Sequence, residues 1–376
     1  MKLKNRALFL DMLKGLALIV MVEVHVFNSL LLPALRESWW FPSLNFINGL
    51  VAPSFSFASG MVFVLSLQKG VDQLRTFGKE FWRKFSRVGL IFFIGYSLHL
   101  PYYSLTKILN NQTQQNLNSL FTVDILQIIS SGLIVLLFAR ILIKSEKRFY
   151  NFMLLLTAII LLIGPMMWKI DLANYLPLFF ANYFNKMHGS LFPVFPWWAF
   201  VFIGAYVAKY YLEAKQNNSE KVFARKMIIT GLLFYLISVV IMYVLFPQQL
   251  AKIIPNPFFF LERFGLILLS LGVFWFYLNN KENYSSLILD VSRESLLVYW
   301  VHLQFIYREI FWRKSLVDIS GRNYNALQCF IVTVILIASM LILAKVWGLL
   351  KSKYPVYSSW FTAAVLIIGT VVFIFR

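Results

Sequence analysis

Several polar side chains interrupt the first apolar run of this sequence, and four of them share one helical face. Asp11 and Lys14 are three residues apart, His25 follows Lys14 by eleven, and Asn28 lies three further on. Eleven residues at 3.6 per turn is close to three whole turns, and at 1.5 Å per residue it separates the Lys14 and His25 backbones by roughly 16 Å along the axis. Glu23 falls off that face by the same geometry. A cation below and an imidazole above suit an elongated anionic ligand whose reactive end meets the histidine. Imidazole is the side chain whose ordinary pKa lets it take a proton from a weak nucleophile near neutrality, and it can also be acylated itself. The same residues also admit a structural reading, in which Asp11 and Lys14 pair to ease insertion and His25 bonds to a neighbouring helix.

Further groups could line the same cavity. His302 lies inside the apolar stretch Ser295-Leu-Leu-Val-Tyr-Trp-Val-His302, and His99 lies just before Pro101. Asp124 and Gln127 open another apolar run and share a face at i, i+3. Asp124 is equally explained as a helix-start charge at the positive end of the dipole, and His99 as a capping or packing residue. His188 sits in a long aromatic connection, residues 169–196. Arg83, Lys84 and Arg87 could attract phosphates, although basic residues flanking a membrane helix need no ligand. No metal site is expected: the single cysteine, Cys329, excludes an internal disulfide and argues against a zinc cluster, and no HExxH, GxSxG or P-loop pattern occurs.

The elements that must hold these groups are membrane helices. Of 376 residues, 60% are apolar and 14% charged, against roughly 25% charged in soluble domains. Apolar runs at 8–32, 46–67, 87–105, 122–143, 150–168, 193–213, 227–246, 257–278, 289–311, 325–349 and 356–375 are each long enough to span about 30 Å of hydrocarbon as a helix. Period-two alternation is absent, which leaves helices to satisfy the backbone. The expected fold is therefore an all-α polytopic membrane bundle of about 11 transmembrane helices, forming a single domain over 1–376.

The net charge of +19 fits basic loops on an anionic membrane face better than nucleic-acid binding. Lys2, Lys4, Arg6, Lys69, Arg75, Lys79, Arg83, Lys84, Arg87, Lys144, Lys147, Arg148, Lys215, Lys221, Arg225, Lys226, Lys351 and Lys353 fall on one side of that arrangement. The other side holds fewer, with Arg313, Lys314 and Arg322 as the main exception. The amino terminus is expected to be cytoplasmic, Arg376 outside, and the first run a retained helix in the cytoplasmic (inner) membrane.

At these residues the chain resembles the transmembrane acyltransferase superfamily. Arg6-(x)4-Asp11-Met-Leu-Lys14-Gly15-Leu-Ala-(x)7-His25 is similar to its first helix, including the bacterial pattern of acyltransferase family three. Ala52-Pro53-Ser-Phe55-(x)4-Gly60, Asp124-Ile-Leu126-Gln127 and Phe192-Pro193-(x)2-Pro196-Trp197-(x)6-Gly204 resemble motifs of the branch related to heparan-alpha-glucosaminide N-acetyltransferase. Ser295-(x)3-Tyr299-(x)2-His302 resembles a late pattern of the wider superfamily. Two departures stand out. Lys14 replaces the usual arginine, keeping the charge but losing the bidentate fork. His25 stands where lysosomal members carry Asn, with their histidine in the following outer loop.

The resemblance implies transfer of an acetyl or similar acyl group from cytoplasmic acyl-CoA, as co-substrate, to a hydroxyl or amine of a glycan or glycolipid at the outer face. His25 would then be the catalytic residue, with Asp11, Lys14, Asn28, Arg87, Asp124, Gln127, His188 and His302 as candidates for binding substrate or cofactor. The lipid bilayer is the other partner, and a homodimer is left open. A transporter for a small anion or an acylated lipid intermediate competes, since it too needs buried charge and a broken helix. A non-catalytic membrane scaffold is the third reading.

Overall fold

The computed structural model describes residues 7–67, 71–279, 281, 284–311 and 314–375. Lys2, Lys4, Arg6, Lys69, Arg313 and Arg376 lie outside the described residues. The chain is 80% helical with no strand among the described residues. In chain order the principal helices are α1 (Leu8–Leu30), α2 (Phe41–Asn48), α3 (Val51–Ser66), α4 (Lys79–Leu98), α5 (Ile125–Leu142), α6 (Glu146–Met167) and α7 (Val194–Gln216). There follow α8 (Glu220–Val239), α9 (Pro257–Asn279), α10 (Leu287–Arg293), α11 (Ser295–Tyr307), α12 (Leu316–Ser320), α13 (Ala326–Lys353) and α14 (Pro355–Phe375).

Among the described residues, seven helical stretches are long and apolar enough to cross a membrane: Phe41–Ser66, Ile125–Leu142, Glu146–Met167, Glu220–Leu245, Pro257–Asn279, Ala326–Lys353 and Pro355–Phe375. No residue of α14 is buried, which in a bilayer leaves an apolar helix facing lipid. The fold is thus an all-α, multi-pass membrane architecture. α1, with 23 residues, and α4, with 20, are comparable in length but carry charged residues within them.

Several expected runs are divided. The run at 46–67 contains a turn between α2 and α3 at Gly49 and Leu50. The run at 289–311 is not one helix. It breaks at Glu294, whose φ −102° and ψ 26° cap α10 instead of continuing it. At that break Lys351 Nζ donates to both carboxylate oxygens of Glu294 at 3.0 and 2.9 Å. α7 is bent near its start, where Phe195 has φ −94° and ψ 115°.

Packing divides the chain into two compact units. The first combines the residues up to Ala52 with Tyr277–Thr370. Within it α1 packs on α10, α11 and α13. Gly15 permits the closest of these approaches: a Cβ there would overlap the carbonyl of Ile288 on α10. The C-terminal end of α1 is tied to the turn before α13, with Leu32 N–H donating to Tyr324 O at 2.9 Å and Tyr324 N–H to Leu30 O at 3.0 Å.

The second unit spans Pro53–Phe276, with the residues from Val371 on. Here α7 packs on α6 and α5, and α4 packs on α5. Gly60 and Gly204, both in family-like motifs, are packing residues: a Cβ on Gly60 would overlap Val201 O, and one on Gly204 would overlap Phe57 O. Small residues that let two backbones meet are how membrane helices pack closely.

Candidate active site

The first unit gathers a polar cluster between α1 and α11. His25 is half-buried, and its Nδ1 lies 3.2 Å from the Tyr307 hydroxyl. Ser29, one turn further along α1, donates to that hydroxyl at 2.6 Å. The buried ring of His302 lies 5.3 Å from that of His25, centroid to centroid, and Tyr299 meets His302 edge-on at 5.7 Å. His302 is fully buried, and its Nδ1 sits 2.8 Å from Val298 O. The sequence treats His25 and His302 as separate candidates; the fold makes them neighbours. Tyr307 and Ser29 went unnoticed in the sequence. The available signal was spacing: Ser29 follows His25 by four residues and Tyr307 follows His302 by five, so each lies about one turn from a histidine.

Toward the other end of α1, Asp11 is buried and accepts from Ser292 Oγ at 3.3 Å. Lys14 is half-buried, on the turn that meets α10 through Gly15. Asn28 is exposed, and its carbonyl accepts from Arg36 Nη2 at 2.7 Å. Glu23 turns to α2, where the Asn48 amide nitrogen donates to Oε2 at 2.7 Å. The α1 helix thus presents His25 to α11 and Glu23 to α2, as expected for residues two apart on a helix.

The second unit holds the remaining candidates. Asp124 and Gln127 form a capping box at the start of α5, both buried. Asp124 also accepts from or pairs with His99 Nε2 at 3.0 Å. Gly95 leaves the room Gln127 needs, since a Cβ there would stand 2.6 Å from its Oε1. These contacts give all three residues a structural task. His188 meets Asp171 at 2.7 Å in the aromatic connection, and that hydrogen bond holds the Asp171 carboxyl below the usual carboxylate range. Arg87 is exposed on α4. A buried adjacent pair that sequence reading passed over, Glu262 and Arg263, lies on α9 with 3.7 Å between Oε2 and Nε. Two charges inside an apolar run were the signal for it. Among the described residues, no group of three His, Cys, Asp or Glu side chains is arranged to hold a metal ion.

Residues 6–240, well over half of the chain, match the catalytic domain of heparan-alpha-glucosaminide N-acetyltransferase. The chain belongs to the heparan-alpha-glucosaminide N-acetyltransferase family. No curated protein matches the sequence. Membership makes this a membrane protein of acetyltransferase type. The family match takes in α1, with Asp11, Lys14 and His25, and ends before α11. His302 and Tyr307, the neighbours of His25, therefore come from the part of the chain beyond the heparan-alpha-glucosaminide N-acetyltransferase match.

Proposed function

We propose that the protein moves an acetyl group from cytoplasmic acetyl-CoA to a hydroxyl or amine of a glycan or glycolipid at the outer face of the cell's inner membrane, with His25 as the base. The observation that carries this reading is the seating of His25: a half-buried imidazole on the Lys14 face of α1, held by the Tyr307 hydroxyl in a chain of acetyltransferase family. In the tautomer that suits catalysis, Nδ1–H donates to Tyr307 Oη and the lone pair on Nε2 faces the nucleophile. That nucleophile is weak until its proton is taken, and general-base catalysis supplies about 100-fold or more. Lys14, about 16 Å along the axis from His25, is the cation on that face for a phosphate of the acyl donor. Lysine offers a point charge there without the bidentate fork of arginine.

The family name makes an α-glucosaminide the first acceptor to supply. Purified protein in liposomes is given acetyl-CoA labelled in the acetyl group on one side and a glucosaminide on the other. Label on the glucosaminide with release of CoA is the expected result. Movement of intact substrate across the bilayer without chemistry would favour the transporter reading, and neither outcome would favour a scaffold.

A further inference from the structure

Acyl transfer with His25 as the base leaves the buried ring of His302 without a task. Its Nδ1 is 2.8 Å from Val298 O. A carbonyl oxygen only accepts, so Nδ1 carries the hydrogen and the lone pair of the neutral ring sits on Nε2. That Nε2 is buried and has no hydrogen-bond partner among the described residues. A buried acceptor left unpaired costs free energy. The ring beside it is His25, 5.3 Å away and tilted by 52°. Tyr307, which meets His25 Nδ1, lies five residues beyond His302, about 7.5 Å further along the α11 axis. The His25 ring thus lies beside both the Tyr307 hydroxyl and the His302 ring.

We infer that His302 is a positioning residue for acyl transfer, the lone-pair edge of its neutral ring lying beside the His25 ring and stabilising the positive charge that His25 gains when it takes the proton of the acceptor. This inference rests on the transferase reading above. In the step, the acceptor heteroatom bonds to the thioester carbonyl carbon and the C–S bond breaks, its electron pair leaving with sulfur. The acceptor's proton passes to His25 Nε2, the imidazolium stands beside the neutral His302 ring, and the proton ends on the CoA thiolate, which leaves His25 neutral again. No further acid or oxidant is needed. An imidazolium formed inside an apolar bundle lacks the water that would solvate it, and a fixed neutral lone pair supplies part of what is missing.

The test compares His302→Leu with His302→Gln in proteoliposomes, using acetyl-CoA and a glucosaminide. Leucine fills a similar volume without an acceptor, and the glutamine amide oxygen reaches the region of Nε2. His302→Leu is expected to lose roughly 10-fold or more in kcat, with both KM values within about 2-fold, as loss of a fixed polar group beside a charge that develops only in the reaction implies. His302→Gln is expected to recover most of that loss. Equal losses in the two variants, or a change confined to KM, would overturn the assignment. With only four histidines in the chain, 15N-histidine NMR gives a readout independent of turnover: His302 is expected as the Nδ1–H tautomer, and the Nε2–H tautomer would overturn the assignment. A wild type that releases no CoA would remove the transferase reading and this inference together; an active wild type with equally impaired variants would remove the His302 role alone.

Discussion

The Tyr307 hydroxyl connects two α1 side chains: it accepts from Ser29 at 2.6 Å and faces His25 Nδ1 at 3.2 Å. In the proposed mechanism it orients the imidazole and transfers nothing itself, so Tyr307→Phe is expected to lower kcat by about 10-fold, the scale of one hydrogen bond near a charged group. Steady-state kinetics at matched expression checks this; a loss as large as that of His25→Ala would make the tyrosine the acting group. Lys14→Ala is expected to weaken acetyl-CoA binding more than Lys14→Arg, because arginine restores the charge and adds donors. Equal losses in binding isotherms would mean that Lys14 serves only to pair with Asp11. The stripe Asp11, Lys14, His25 and Asn28 was legible in the sequence because helical period fixes which residues of one helix share a face. The contact of His25 with His302 was not, because no periodicity relates residues on helices far apart in the chain.

Helix crossings set where those side chains stand. Gly15 follows Lys14 directly, and a Cβ on it would overlap the Ile288 carbonyl. Gly15→Ala must push α1 from α10, at about 1–3 kcal/mol for an overpacked contact, and is expected to lower both melting temperature and turnover. Gly204→Ala, against Phe57 O in the second unit, is expected to show a similar thermal loss. Melting of the purified variants by intrinsic fluorescence decides; an unchanged transition for Gly15→Ala would mean that the crossing is looser than these distances. The uniformly apolar helices were the easiest to read, since runs such as 257–278 and 325–349 reappear as Pro257–Asn279 and Ala326–Lys353. The break at Glu294 falls in the stretch Asp290-Val-Ser-Arg-Glu-Ser295, whose polar residues were the signal that the run at 289–311 does not continue as one helix. The Asp171–His188 contact gives a pH expectation. A carboxyl whose folded pKa is depressed stabilises the folded form above its unfolded pKa, near 4, and loses that contribution as pH falls through the lower folded value. Limited proteolysis within 169–196 should therefore speed up only on the acid side of the usual carboxylate range, and Asp171→Asn should remove that dependence.

At the scale of the whole molecule, the uneven distribution of Lys and Arg between the two sets of connections predicts the orientation, since basic residues near helix ends are retained on the cytoplasmic side. Reporter fusions in a bacterial inner membrane are expected to give a cytoplasmic signal before residue 8 and an external one after Arg376. A cytoplasmic signal at both ends would require an even number of crossings and would revise the expected eleven. The central claim is chemical, however, and needs one comparison: CoA release from acetyl-CoA in the presence of a glucosaminide, by wild-type protein and by His25→Ala at matched expression and insertion. Removing a polar group from α1 should not hinder insertion, so the variant is expected to be present in the membrane and slower by roughly 100-fold or more. Near-normal CoA release by His25→Ala would contradict the account.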